Sequence, residues 1–250
     1  MLWIFDLDGV VWLAGHGVPG SADAIKRLRS NNESVVFVTN NSTPTIAEFV
    51  EKLSNADVSV DPSEMVTSSQ AAASLLEPGS RASFVGGPGV LEALVERGVE
   101  VVGLDANPAA VVVGRSLKLD FDELSAAADA IRGGARFIAA NADATFPTPD
   151  GLEPGAGALV AYLQVGSGRD AEVAGKPEQA ISDLVRSRFG QPDMVVGDRP
   201  ESDGRFAERI GASFALVLTG VTSRADLPVT PTPAIVADDL AAVIAHHFHD

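Results

Sequence analysis

Four groups of chemically useful residues recur along the chain, each beside Gly, Asn or Pro, and three of them close a short apolar run. Asp6 and Asp8 follow Leu2-Trp3-Ile4-Phe5, with Leu7 between them and Gly9 after. Thr39-Asn40-Asn41-Ser42 follows Ser34–Val38, and Lys176 stands in Gly175-Lys176-Pro177-Glu178. Asp198 follows Met194-Val195-Val196-Gly197 and precedes Arg199. Oxygen donors of this hardness suit Mg²⁺, which is held by one or two carboxylates together with water and substrate phosphate. The absence of cysteine and the scattered histidines argue against zinc. A divalent ion and Lys176 would balance the three carboxylates and leave directed donors for a phosphoryl group. Hydroxyls, amides and backbone N–H groups such as those of Thr39, Asn40 and Asn41 can hydrogen-bond phosphate. The same residues suit a helix cap before Ile46–Leu53, and both readings hold together. A carboxylate nucleophile can divide phosphate-ester hydrolysis through an aspartyl-phosphate. A second carboxylic acid two residues on can protonate the leaving oxygen and then activate water.

The elements around these groups read as α/β. Trp3–Phe5, Ser34–Val38, Met65–Thr67, Met194–Val196 and Phe214–Leu218 are short apolar runs bounded by turn residues, the pattern of buried strands. Helices are expected over Ala22–Arg29 with Ser21 as cap, over Ile46–Leu53, Gln70–Leu76, Ala207–Ile210 and roughly Asp238–His247. A helix over Gln179–Phe189 would carry Pro177 in its first turn. Val10–Gly20 reads as a loop. In open α/β sheets ligands bind beyond the carboxyl ends of the strands, where three of the four groups fall.

Pro78-Gly79 breaks the pattern, and the alternation restarts. Strands are expected at Ala82–Gly86, Val99–Val102, Ala110–Val113 and Phe137–Ala140. Helices are expected at Val90–Arg97, Asp122–Arg132 and Gly157–Val165. This rhythm marks a second domain. The loop Asn141–Gly157, rich in Asp, Pro and Gly, is long enough to be functional or a plain surface connection. Gly86-Gly87-Pro88-Gly89 does not fit a dinucleotide fingerprint.

Composition sets further bounds. The 250 residues are 46% hydrophobic and carry a formal charge of −16 from 34 acidic and 18 basic side chains. Such acidity disfavours binding to nucleic acid or to an anionic membrane through a basic surface, and serves solubility. No apolar stretch is long enough to span a membrane, and no basic segment precedes the first apolar run, so neither span nor signal peptide is expected. With no cysteine, the chain suits a reducing, cytoplasmic setting. The terminal His246-His247-Phe248-His249-Asp250 reads as a frayed helix end rather than a metal site.

Asp6-Leu7-Asp8-Gly9-Val10, Thr39–Ser42, Gly175-Lys176-Pro177 and Gly197-Asp198-Arg199 with Ser202-Asp203 resemble the four motifs of the haloacid dehalogenase (HAD) superfamily. The insert between the second and third motifs resembles the large α/β cap of the NagD/p-nitrophenylphosphatase branch, as do Pro154–Leu159 and Leu216–Ser223. The resemblance covers nearly the whole chain. It implies a Rossmann-like, doubly wound, mostly parallel core over residues 1–79 and 173–250, with the cap over residues 80–172. It implies a Mg²⁺-dependent phosphatase acting on a small phosphorylated metabolite. Asp6 would be nucleophile and metal ligand, and Asp8 the general acid/base, lending its backbone carbonyl to the metal. Thr39, Asn40 and Asn41 would bind the phosphoryl group, and Lys176 would steady nucleophile and phosphate. Asp198 would be the third protein ligand of the metal, with Asp203 placing water on it. Glycerol phosphate, phosphoglycolate, pyridoxal phosphate, nucleoside monophosphates and sugar phosphates all suit the branch.

The chain departs from the family pattern at Ser202, where Thr is usual, at Gly204, where an aliphatic residue is usual, and near Asn31-Asn32, where a glycine is usual. No catalytic group is lost. Two other functions use similar residues: phosphoryl transfer to a sugar, as in a mutase, and a phospho-aspartate switch, for which the chain is about twice too long. The cap loop around Asn141, Asp143 and Phe146 is expected to meet the leaving group. Caps of this branch can pair, so a homodimer is an expectation by analogy.

Overall fold

The structure is a computed structural model describing residues 1–13, 15–148 and 150–248. The first stretch runs β1 (Leu2–Phe5), β2 (Trp12–Leu13), β3 (His16–Gly17), α1 (Ser21–Ser30), β4 (Ser34–Thr39), α2 (Ile46–Asn55), β5 (Met65–Thr67) and α3 (Ser68–Ser74). The middle runs β6 (Arg81–Val85), α4 (Pro88–Glu96), β7 (Glu100–Val101), β8 (Ala110–Val113), α5 (Phe121–Arg132), β9 (Arg136–Ala139), β10 (Thr145–Thr148), β11 (Gly151–Pro154), α6 (Ala156–Ser167) and β12 (Glu172–Val173). The chain then makes α7 (Gln179–Phe189), β13 (Met194–Gly197), α8 (Arg205–Ile210), β14 (Ser213–Val217), β15 (Ile235–Ala237) and α9 (Leu240–His247).

The outer stretches build one six-stranded sheet in the order β15-β14-β13-β1-β4-β5, with every neighbouring pair parallel. The chain winds from β1 to β4 and β5 on one side, then returns to build β13, β14 and β15 on the other. The winding therefore reverses beside β1, where doubly wound sheets open a crevice for ligand. Side chains of β1 alternate across the sheet. Trp3 and Phe5 join one buried cluster with α1, α2 and α9, and Ile4 joins another with α3, α7 and α8. That second cluster continues through α3 and α4 into Ala82, Ala110, Val112 and Ile138 of the five-stranded sheet β12-β9-β8-β6-β7. The smaller sheet buries its other face under α5 and α6 through Val111, Val113, Leu124 and Leu163. The fold is thus α/β, a Rossmann-like core with an inserted α/β cap, and β12 at Glu172–Val173 pairs with the cap strand β9.

Several elements differ from the sequence reading. Val10–Gly20 contains the small hairpin β2–β3, and Asn141–Gly157 contains the hairpin β10–β11. Helix α1 starts at Ser21 with Gly20 as cap at φ 82°, and the Ser21 hydroxyl donates instead to the Val10 carbonyl at 3.0 Å. Helix α3 starts at Ser68, earlier than expected, because Thr67 and Gln70 form a capping box. Pro177 precedes α7, whose cap is Glu178. Strand β15 had no clear signal, being three half-exposed residues at a sheet edge. His247 packs edge-on against Trp3 with ring centroids 5.0 Å apart, while His249 lies outside the described residues.

Candidate active site

Register brings the four groups together. Phe5 lies opposite both Phe37 and Val196, so the ends of β1, β4 and β13 are level. Asp6 continues the ladder by one bond, its N–H donating to the Val196 carbonyl at 2.9 Å. Asp198 follows β13, and one π-helical turn at Pro200–Gly204 brings Asp203 back to the same end. Such turns are frequent at functional sites. Asp6, Asp198 and Asp203 are all buried and each offers a carboxylate oxygen, these atoms lying within 4.8 Å of one another. Lys176, also buried, donates from Nζ to Asp6 Oδ1 at 2.7 Å and to Asp203 Oδ1 at 2.6 Å.

Three acids crowd around one lysine, and their titration reflects it. Burial, with Asp203 next, raises the Asp198 carboxyl from its ordinary range to about 7. Burial likewise raises Asp6 well above its ordinary value, against the pull of Lys176. Burial works to lower the Lys176 pKa, but Asp203 and Asp6 more than offset it, so the ammonium stays charged. Both Asp203 oxygens are engaged, Oδ1 by Lys176 and Oδ2 by the Arg199 N–H at 3.1 Å. Asp198 Oδ2 accepts from the Val221 N–H at 2.6 Å, but its Oδ1 is buried with no hydrogen-bond partner among the described residues. An unpartnered buried carboxylate oxygen is costly. An all-oxygen donor set with excess negative charge fits a hard divalent cation.

Glycines let this cluster close. At Gly9, φ is +83°, and a Cβ would sit 2.6 Å from Asp198 Oδ2 and 2.9 Å from the Gly220 Cα. A side chain at Gly220 or Gly197 would collide with Asp198 or Asp203 respectively. The tight turn after Asp6 is thus the space in which Asp198 stands.

Asp8 stands outside the cluster of three acids but borders the same cavity as Asp6. Its Oδ1 accepts from Trp12 Nε1 at 2.9 Å, across the hairpin start. Burial raises the Asp8 pKa and the indole bond opposes this, so the carboxyl holds its proton to higher pH than an ordinary aspartate.

The Thr39–Ser42 loop is wired to the cap. Thr39 is buried, and its Oγ1 accepts from the Asn41 N–H at 3.0 Å. The Asn41 side chain closes a turn with the Thr43 N–H at 3.1 Å. The Asn40 side chain is engaged by protein groups on both its amide atoms. Its Nδ2 faces Asp143 Oδ1 at 3.1 Å and the Lys176 carbonyl at 3.0 Å, and its Oδ1 accepts from the Lys176 N–H at 2.7 Å. The buried Asn141 donates to the Asn40 carbonyl at 2.6 Å and accepts from the Asp143 N–H at 3.2 Å. Asn141 and Asp143 therefore hold the cap loop against the core loop.

The cavity at this junction is lined by Asp6, Asp8, Thr39, Asn41, Lys176 and Arg199 of the core, and by Arg115, Asp143 and Phe146 of the cap. A wider cleft of about 370 Å³ adjoins it, sharing Asp8, Asn41, Phe146 and Pro147. All the residues expected at the site border the cavity or its acid cluster. Arg115 was not foreseen. Its signal was available, since Gly114-Arg115-Ser116 directly follows the apolar run of β8, as three of the four groups follow theirs.

Residues 3–100 match the haloacid dehalogenase-like hydrolase family and residues 173–243 a HAD-hydrolase-like family. The chain is 38% identical over 234 residues to D-glycerol 3-phosphate phosphatase of Mycobacterium tuberculosis, covering 89% of this chain but 64% of that longer protein. It is 32% identical over 250 residues to an acid sugar phosphatase of Staphylococcus epidermidis, covering 97% and 96% of the two. The structure of the M. tuberculosis glycerol phosphate phosphatase in complex with magnesium superposes with a TM-score of 0.90 at 34% identity, over 97% of this chain and 75% of that one.

Proposed function

The chain belongs to the haloacid dehalogenase-like hydrolases, and from that premise we propose that it is a Mg²⁺-dependent phosphatase of small phosphorylated metabolites, working through an aspartyl-phosphate on Asp6. The observation that carries this reading is the clustering of Asp6, Asp198 and Asp203, the first and last of them paired with Lys176, with Asp198 Oδ1 buried and unpartnered among the described residues. Asp6 and Asp198 would hold the ion, aided by the Asp8 backbone carbonyl. Asp203, with both oxygens already engaged, would orient water and Lys176 rather than ligate directly. When bound, the cation supplies the positive charge that lets a phosphoryl group approach these carboxylates.

Asp6 attacks phosphorus with a carboxylate oxygen, and the ester oxygen leaves. Asp8, protonated at the start, gives its proton to that oxygen, which a raised pKa favours. Asp8 then takes a proton from the water that hydrolyses the acyl phosphate. Lys176 holds Asp6 in position through one oxygen and offsets the phosphoryl charge. Thr39 and Asn41 receive the phosphoryl oxygens, while Asn40 secures Lys176 and the cap loop through its side chain. Trp12 fixes the Asp8 rotamer.

The five-stranded sheet serves as the cap that closes over leaving groups, with Asn141 and Asp143 as its fastening and Phe146 as its contact with substrate. No helix among the described residues is long and apolar enough to cross a membrane. We place the enzyme in the cytoplasm. A homodimer would cover the cap's exposed Leu117, Leu119 and Phe121, which sedimentation of the full chain tests. The activity is tested by turnover of p-nitrophenyl phosphate with Mg²⁺ against Asp6→Asn. Loss of turnover in the variant is expected, and equal activity rejects Asp6 as nucleophile.

A further inference from the structure

The stretch Leu216–Ser223 carries no charged side chain, yet it reaches the site at two points. It leaves β14 after Val217 and turns at Thr219-Gly220-Val221. The Val221 N–H donates to Asp198 Oδ2 at 2.6 Å. The part-buried Thr219 hydroxyl donates to the Gly9 carbonyl. Between them Gly220 lies so near Asp198 that a side chain there would overlap the carboxylate. One turn therefore grips both Asp198 and the bend that follows Asp6 and Asp8.

Each grip limits what the gripped group can offer an ion. Asp198 keeps one free oxygen, Oδ1, which is buried with no hydrogen-bond partner among the described residues. Held at Oδ2, the carboxylate cannot engage an ion through both oxygens without losing its bond to Val221. Gly9 is held on both sides. Its N–H donates to the Trp12 carbonyl at 2.6 Å, and that N–H shares one planar peptide with the Asp8 carbonyl. The bond to Trp12 thus sets the direction of the Asp8 carbonyl, and the bond from Thr219 stops the next peptide from turning. A glycine at φ +83° has no side chain to restrict it, so these two bonds supply the restraint that a Cβ cannot.

Mg²⁺ demands near-ideal octahedral geometry, so small displacements of its ligands weaken it. We infer that the Thr219–Val221 turn is a positioning device for the cation site: Thr219 fixes the Gly9 peptide and with it the Asp8 carbonyl, and the Val221 N–H leaves Asp198 one oxygen, Oδ1, to give. This rests on the Mg²⁺-dependent reading above and adds two residues that act only through Gly9 and Asp198.

The test is Mg²⁺ binding to the full chain, by titration calorimetry and by the rise of Tm with Mg²⁺, in the native protein and in Thr219→Val, Thr219→Ala and Thr219→Ser. Hydrolysis of p-nitrophenyl phosphate is followed over the same range of Mg²⁺. Thr219→Val should weaken the Mg²⁺ Kd by about 5-fold or more, the scale of one lost hydrogen bond. Thr219→Ala also lacks the hydroxyl and should show the same loss, which keeps the test open if valine disturbs folding. Thr219→Ser keeps the hydroxyl and should stay within about 2-fold of the native Kd. Turnover by Thr219→Val should be low at limiting Mg²⁺ and recover at saturating Mg²⁺. A lower Tm without Mg²⁺ but an unchanged Mg²⁺ Kd in both Thr219→Val and Thr219→Ala would leave Thr219 a purely structural residue and overturn the inference. Binding as weak in Thr219→Ser as in Thr219→Val would do the same, since the hydroxyl would then not be the cause. A native protein that binds Mg²⁺ but leaves p-nitrophenyl phosphate intact would instead overturn the phosphatase reading, with the Kd comparison still deciding the role of the turn.

Discussion

At the residue scale, the site separates two aspartates that stand two positions apart. Asp6 is drawn among two acids and a lysine, whereas Asp8 is held by an indole N–H and keeps its proton more readily than an exposed aspartate. Burial raises both carboxyls, but only Asp6 is ion-paired with an ammonium, which favours its ionised form and suits a nucleophile. Asp8→Asn should lower kcat by about 10²-fold or more, with a smaller deficit for p-nitrophenyl phosphate, whose leaving group needs little protonation; steady-state kinetics on aryl and alkyl esters checks this. Trp12→Phe removes the donor to Asp8 while keeping an aromatic ring against Phe49, and should cost less than Asp8→Asn while altering the pH profile of kcat. The clustering of Asp6, Thr39, Lys176 and Asp198 at one edge was legible because each follows an apolar run or sits beside Gly or Pro. The engagement of Asn40, Asn141 and Asp143 with one another was not, since their partners stand 101 and 103 residues apart in the chain.

At the element scale, glycine turns and one cross-loop fastening determine whether the strand ends form a site. Gly9→Ala would impose φ +83° on a residue with a Cβ and drive that atom into Asp198. We expect it to destabilise the protein by more than about 1–2 kcal/mol and to weaken Mg²⁺ binding, read by denaturant unfolding and by metal titration. Asn40→Ala should release the cap loop from Lys176, raising KM for glycerol phosphate more than it lowers kcat. Strands β1, β4, β5, β13 and β14 were readable because buried parallel strands are continuous apolar runs. The hairpins β2–β3 and β10–β11 and the edge strand β15 were not. Their residues are short, mixed or half-exposed, and pairing rather than propensity sets their conformation.

At the scale of the whole molecule, the two sheets share one apolar cluster through α3 and α4, so the cap loop reaches the core from a packed support. The restart of the alternation after Pro78-Gly79 revealed the second sheet. It did not reveal that β12, at residues 172–173, would join that sheet. Unbalanced acids at the junction also tie stability to pH and metal. The folded Asp198 carboxyl titrates near 7, against about 3.8 for the ordinary side chain, so between these values the folded state holds a proton that the unfolded state has released. Stability of the metal-free protein should therefore decline as pH rises through that window. Mg²⁺ should raise Tm more at about pH 8 than at about pH 5, where protons compete for the same oxygens. Asp198→Asn should abolish that pH-dependent difference, as calorimetry with and without Mg²⁺ would show.

The central claim is that Asp6 carries the phosphoryl group in turnover. The direct measurement is acid-quenched single turnover of p-nitrophenyl phosphate with Mg²⁺, followed by mass spectrometry of the peptide containing Asp6, in the native protein and in Asp8→Asn. One phosphoryl group on Asp6, accumulating further in Asp8→Asn where its hydrolysis is slowed, is the predicted result. Nitrophenol release by the native protein with Asp6 unmodified at every quench time, and unmodified still in Asp8→Asn, would contradict it.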